Sequence, residues 1–159
     1  VALKYDIESL LADIKTIVSD NFNTKVAAIN AEKADGVSLD TLDASAYFLQ
    51  QLNGRMANWN PICLYGVDNI ETVTRGPLSS QKVVCSVVIV AIDTGEEIEC
   101  GVRMLRYQRV LQEIFAEKWN EGRNGVKLEI RSLVPIPLTD MNTSNRYRAV
   151  GVELEGNLG

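Results

Sequence analysis

Lys82-Val83-Val84-Cys85-Ser86-Val87-Val88-Ile89-Val90-Ala91-Ile92-Asp93 contains the longest apolar run of the chain, and its reading decides the fold. β-branched residues occupy both alternating sets of positions, so neither face of a strand built from them can be left in water. The stretch therefore predicts a central strand. The domain's own helices can cover one face. The other needs a further cover, either the long N-terminal helix or a neighbouring subunit. Residues 87–92 are far too few to cross a bilayer as a helix.

Working outward, residues 62–67 form a short apolar strand, with a continuation through Ile70 and Val73, and Gly76-Pro77 with Ser79 and Ser80 read as a loop over 73–81. After the central strand, Asp93-Thr94-Gly95 is a break, and Thr94 with Glu97 has the spacing of a capping box. The helix it opens is expected to run to about residue 121, with Met104, Tyr107, Leu111, Ile114 and Phe115 on one face and Trp119 a turn further on. Gly122 and Asn124-Gly125 end it. Val126, Leu128 and Ile130 alternate with Lys127, Glu129 and Arg131, the pattern of a sheet with one wet face. Pro135 and Pro137 are expected to stop regular structure and to open a second long polar loop, to residue 145, before 146–155 alternate again.

Upstream, Ile7, Leu10, Leu11, Ile14, Ile17, Val18 and Phe22 keep helical spacing behind an Asp6 N-cap, with Glu8 in the first turn. Asn21 and Asn23 predict a break, Thr24 a new cap, and Asp35-Gly36 the end of a second stretch over 25–34. Tyr47, Phe48 and Leu52 after Asp43 predict a short helix, and Trp59 before Pro61 is placed to staple it to the sheet. The expectation is one α+β domain over 1–159: a helical part over 1–56, then a mostly antiparallel sheet of about four strands with a central helix over 57–159.

With 159 residues, 46% hydrophobic and 23% charged, the chain has the composition of one globular domain. The formal charge is −5 and no run of Lys or Arg forms a nucleic-acid footprint. There is no His, which removes the commonest general base and metal ligand. Cys63, Cys85 and Cys100 form no C-x-x-C pair, and buried thiols in a reducing compartment are expected. Asp6 and Glu8 stand where a basic-then-apolar signal peptide would be. Glycines are dispersed, so no phosphate cradle forms, and Ser79-Ser80 lacks a nucleophile frame. Glu96, Glu97 and Glu99, and Glu153 with Glu155, are the only carboxylate groups with a metal or acid–base reading, and they lack the spacing of a calcium loop. No catalytic residue, metal or cofactor is expected. Arg103, Arg106 and Arg109 recur along one helix face, and Arg146 and Arg148 share a strand face with Val150. Arginine is favoured in subunit contacts, so Arg75, Lys82, Arg103, Arg106, Arg131, Asn142, Arg146 and Arg148 are the candidate subunit or partner contacts.

The element order, with Asn60-Pro61-Ile62-Cys63-Leu64-Tyr65 opening the sheet, residues 82–93, Arg103-Met104-Leu105-Arg106-Tyr107 and the closing Tyr147-Arg148-Ala149-Val150-Gly151-Val152-Glu153-Leu154, resembles the neck and tail-terminator proteins of tailed bacteriophages. The likeness covers roughly residues 57–157 and the N-terminal helix. It implies a virion protein, assembled in the host bacterial cytoplasm, that forms a ring, a hexamer, at the head-proximal end of the tail. Such a ring stops tube polymerisation and joins the tail to the head connector. Its partners would be itself, the tail tube protein and the head connector or adaptor, with DNA passing through the lumen without specific binding and no membrane involved. A head-completion or tube-adaptor protein is the alternative within the neck. A small metal-dependent enzyme using Glu97, Glu99 and Glu153, or a nucleic-acid binder, is the alternative in another class.

Overall fold

The computed structural model describes residues 6–49, 60–75, 78–93, 97–118, 128–139 and 146–158. Asp6 caps the first helix, α1 (Ile7–Lys33), by accepting the Ser9 N–H at 2.9 Å. Ala34, in the left-handed region at φ 39°, ends it and returns its N–H to the Asn30 carbonyl at 3.2 Å. The break expected at Asn21 and Asn23 is absent, and Thr24 caps nothing. Asn21 bonds back to the Ile17 carbonyl (2.7 Å), a partner that the helix itself offers. Asn23 and Asn30 each grip one residue of the following segment at both backbone groups. Asn23 Nδ2 donates to the Leu42 carbonyl (3.1 Å) and its Oδ1 accepts the Leu42 N–H (2.8 Å), while Asn30 holds Leu39 in the same way at 3.0 and 2.8 Å. Two helix-compatible amides thus lay residues 34–46 along α1 as a strap.

The short helix expected over Tyr47, Phe48 and Leu52 is not formed at Tyr47 and Phe48, which lie in a strand, and Leu52 is outside the described residues. Asp43 does not cap a helix; its carboxylate accepts the Ser45 N–H (2.8 Å) and its carbonyl the Ala46 N–H (3.0 Å), which makes a turn. The chain then enters β1 (Tyr47–Leu49), which pairs in parallel with Cys63 to Tyr65 of β2 (Ile62–Arg75). The sheet continues through β3 (Leu78–Asp93), β4 (Glu129–Thr139) and β5 (Arg146–Leu158) in the order β1-β2-β3-β5-β4, with every pair beyond the first antiparallel. The fold is α+β as expected, with the short parallel strand added to the four antiparallel ones.

β3 is the central strand. It pairs with β2 over 78–90 and with β5 over 81–93. Of the expected loop over 73–81, residues 73–75 and 78–81 are instead strand, paired without interruption from Asn69 opposite Val84 to Arg75 opposite Leu78, and 76–77 lie outside the described residues. Pro135 and Pro137 do not stop regular structure either; they lie within β4. Cys63 donates its N–H to the Ala46 carbonyl at 2.8 Å, so it is turned towards the β1 edge. Antiparallel alternation then directs even-numbered residues of β3 to β2 and odd-numbered ones to β5. Carried across to β4, the same alternation places both prolines at positions whose N–H would leave the sheet, where a missing donor costs no ladder bond.

The second helix, α2 (Glu97–Lys118), lies with α1 on one face of the sheet. Val83, Cys85, Val87 and Ile89 of β3 and Val150, Val152 and Leu154 of β5 are buried beneath them. The expected stripe of α2 from Met104 to Phe115 is buried as well. Phe22 and Tyr107 stack across the helix pair, with ring centroids 6.0 Å apart. The Tyr107 hydroxyl donates to the Asp40 carbonyl (3.2 Å) and accepts the Asp40 N–H (3.0 Å), pinning the strap to α2 as well. The expected contacts of Trp59 and Trp119 and the Thr94 cap fall outside the described residues.

Gly151 sits at the seam between β5 and β3. A Cβ there would run into the Val87 carbonyl and stand 2.9 Å from Val88 Cγ2. Gly151→Ala is expected to cost about 1–3 kcal/mol of stability through overpacking, read as a lower urea midpoint at unchanged slope.

Candidate functional site: the sheet face without helices

The basic residues singled out from the sequence do not form one patch. Arg106 is 8% exposed and forks onto the Asp35 carboxylate while donating to the Val37 carbonyl at 2.6 Å. Arg109 bridges Glu113, one turn on (Nε to Oε1 2.9 Å), and Glu32 at the end of α1. Both arginines fasten α2 to the C-terminal end of α1 and to the strap, so they serve the chain's own packing. Arg103 approaches Glu99 at 3.8 Å and has a buried Nε without a hydrogen-bond partner. Arg148 shares the helix-covered face with Val150 and reaches α2, its Nη1 3.7 Å from where a Cβ on Gly101 would stand. Lys82 lies on the opposite face, 3.2 Å from Glu155. Arg131 is exposed at the irregularity between Ile130 and Ser132. Arg75 and Arg146 stand opposite Leu78 and Asp93 in the ladder, and Asn142 is outside the described residues.

Register separates the sheet's two faces. Opposite the helices, Ile62, Leu64, Val84, Val88, Val90 and Ala149 make an apolar field, in which Ile62, Val84, Val90 and Ala149 are buried and Leu64 and Val88 are half-buried. Among the described residues no helix lies on this face. Towards the other end of the strands it turns polar. Ser86 donates to Asp68 (3.1 Å), Ser132 donates to Glu153 (2.8 Å), and Lys82 pairs with Glu155. Glu129 stands directly opposite Glu155. This end therefore carries several carboxylates against one lysine and is suited to a basic neighbour, while the apolar end is suited to packing.

A second exposed apolar feature lies on the far side of the molecule. Ile98 is 84% and Leu105 66% exposed on the outward side of α2, with Val102 between them at helical spacing. Sequence reading singled out the arginines of this helix and passed over the stripe. Its signal was present as an i, i+4, i+7 set distinct from the Met104–Tyr107–Leu111 stripe.

The reactive side chains are held in unreactive forms. Burial pushes the thiol of Cys63 up to about 12, and burial together with Asp68 does the same for Cys85. Burial likewise pushes the Tyr107 phenol up to about 12. Among the described residues no group of three or more Cys, Asp or Glu converges to hold a metal ion, and no described helix is long and apolar enough to cross a membrane. Glu99 and Glu153 are engaged with Arg103 and Ser132. No known family model matches the chain, and no curated protein matches it.

Two outcomes are expected. A thiol reagent should leave Cys63 and Cys85 unmodified for hours at neutral pH in the folded chain and titrate them at once in denaturant; rapid reaction of the native chain would contradict their burial. Arg106 holds the Asp35 carboxyl below its usual value, chiefly by hydrogen bonding, and the Val37 N–H adds to the effect. The contact therefore stabilises the fold above the ordinary carboxylate range and is lost as pH falls through the lower folded value. Asp35→Asn should lower the melting temperature at neutral pH and leave it unchanged in acid, as measured by calorimetry across pH.

Proposed function

We propose that this chain is a structural assembly protein of the tailed-bacteriophage neck, specifically a tail terminator that forms a ring at the head-proximal end of the tail tube. The observation that carries the reading is the sheet face opposite the helices. Half-buried Leu64 and Val88 are the accessible part of an apolar field whose other members are buried, and no described helix lies on that face. The Ile98–Leu105 stripe of α2 points away from the sheet on the other side of the two-layer domain. A closed ring of identical subunits needs two different patches repeated on every copy, and patches on opposite sides suit head-to-tail contact. The element order supports the same reading, since α1 precedes a hairpin, a helix and a second hairpin, as the resemblance implies.

Val88→Lys places a charge in the apolar field at a half-buried position, on the face away from Val83, Cys85, Val87 and Ile89. The variant is expected to keep its circular dichroism and melting transition and to lose assembly, scored as failure to restore infectivity to phage lacking the protein. Electron microscopy of those particles gives the decisive readout. Loss of a terminator leaves tails of uncontrolled length. Normal-length tails detached from filled heads would instead assign the chain to the head-adaptor position, and intact infectious particles would end the neck reading.

A further inference from the structure

The two edges of the sheet are built differently. β4 closes one side with Pro135 and Pro137 at outward positions, and a proline has no N–H to offer a further strand. On the other side β1 covers β2 only at Cys63 to Tyr65, although β2 runs on to Arg75. Among the described residues no strand lies beside the rest of it. Alternation from Cys63, shifted by the one-residue irregularity between Val67 and Asn69, turns the backbone N–H and C=O of Ile70, Thr72 and Thr74 outward. The sequence Ile70-Glu71-Thr72-Val73-Thr74 is rich in β-branched residues, and Ile70 is 45% exposed on this edge.

We propose that this edge of β2 pairs antiparallel with the same edge of a second copy, about a two-fold axis at Thr72, joining two five-stranded sheets into one. With the axis at Thr72, the outward positions meet one another: Ile70 opposite the partner's Thr74, and Thr72 opposite the partner's Thr72. Glu71 then stands opposite the partner's Val73 and position 75 opposite the partner's Asn69, so no like charges are set directly opposite one another. An axis at residue 73 would also set outward positions against one another, but it engages only residues 71–75, whereas an axis at Thr72 engages all of 69–75. Centring on residue 71 would set Glu71 against the partner's Glu71. Centring on Ile70 would bring the irregular Asp68 opposite Thr72 and interrupt the ladder. The pairing uses neither the sheet face opposite the helices nor the α2 stripe, so it stands or falls separately from the neck reading.

The contact is one strand wide, so a concentration-dependent dimer is expected rather than a permanent one. The test uses the full chain in two variants. Thr72→Cys introduces a thiol on the axis, whereas Cys63, Cys85 and Cys100 are buried and supply no competing site. Under mild oxidation Thr72→Cys should form disulfide-linked dimers. The control Gln112→Cys, on the exposed side of α2, should not. Thr72→Pro removes only an outward N–H; it should preserve the circular dichroism spectrum and weaken self-association by about tenfold or more in sedimentation velocity. Cross-linking of Thr72→Cys no faster than of Gln112→Cys overturns the pairing. So does a wild-type chain that stays monomeric at high concentration, or self-association unchanged in a folded Thr72→Pro.

Discussion

The double demand of β3 organises this protein: its backbone must be bonded on both edges and its side chains covered on both faces. β2 and β5 meet the first demand along almost its whole length. α1 and α2 together meet half of the second, burying Val83, Cys85, Val87 and Ile89 at roughly 1.5–3 kcal/mol for each large aliphatic side chain removed from water. The helices are therefore spent on one side, and neither can also serve the other. An apolar field on the opposite face follows from having two helices on one side of a sheet whose central strand carries apolar residues on both faces.

The parts of the fold written in hydrophobic period were legible in the sequence. The α1 stripe, the Met104–Phe115 face of α2, the central strand and the alternation of β5 all lie where their spacing placed them. The failures share one physical cause, since each residue was judged by local propensity when a distant partner decided it. Asn23 and Asn30 look like helix breakers until Leu42 and Leu39 occupy their amides. Asp43 looks like a helix cap until Cys63 draws the next residues into a parallel strand. Pro135 and Pro137 look like strand breakers because their outward position depends on pairing with β5, which no local pattern encodes.

The candidate contact residues show the same limit. Sequence places Arg103, Arg106 and Arg109 on one face of a helix but cannot say what lies opposite. There, α1 and its strap present Asp35, Glu32 and the Val37 carbonyl, so Arg106 and Arg109 knit the helical layer together. The surfaces left for other molecules are instead apolar and modest: Leu64 and Val88 on the sheet, Ile98 and Leu105 on α2. Residues of that kind read as ordinary core in a linear pattern. Only the placement of both helices on one face shows which of them keep accessible surface.

The strand order also bears on how the chain reaches its native state. β2 with β3, and β4 with β5, are neighbours in sequence and can zip as local hairpins, whereas β3 meets β5 only after α2 and β4 have been laid down between them. Loop-closure entropy makes that middle seam the expensive step, and contact order makes it the slow one. Neither hairpin has a covered face until the seam closes and α2 settles across it, so partly folded chains expose long β-branched strands. Gly151, which lets β5 approach Val87 and Val88 closely, lies on that late-closing seam.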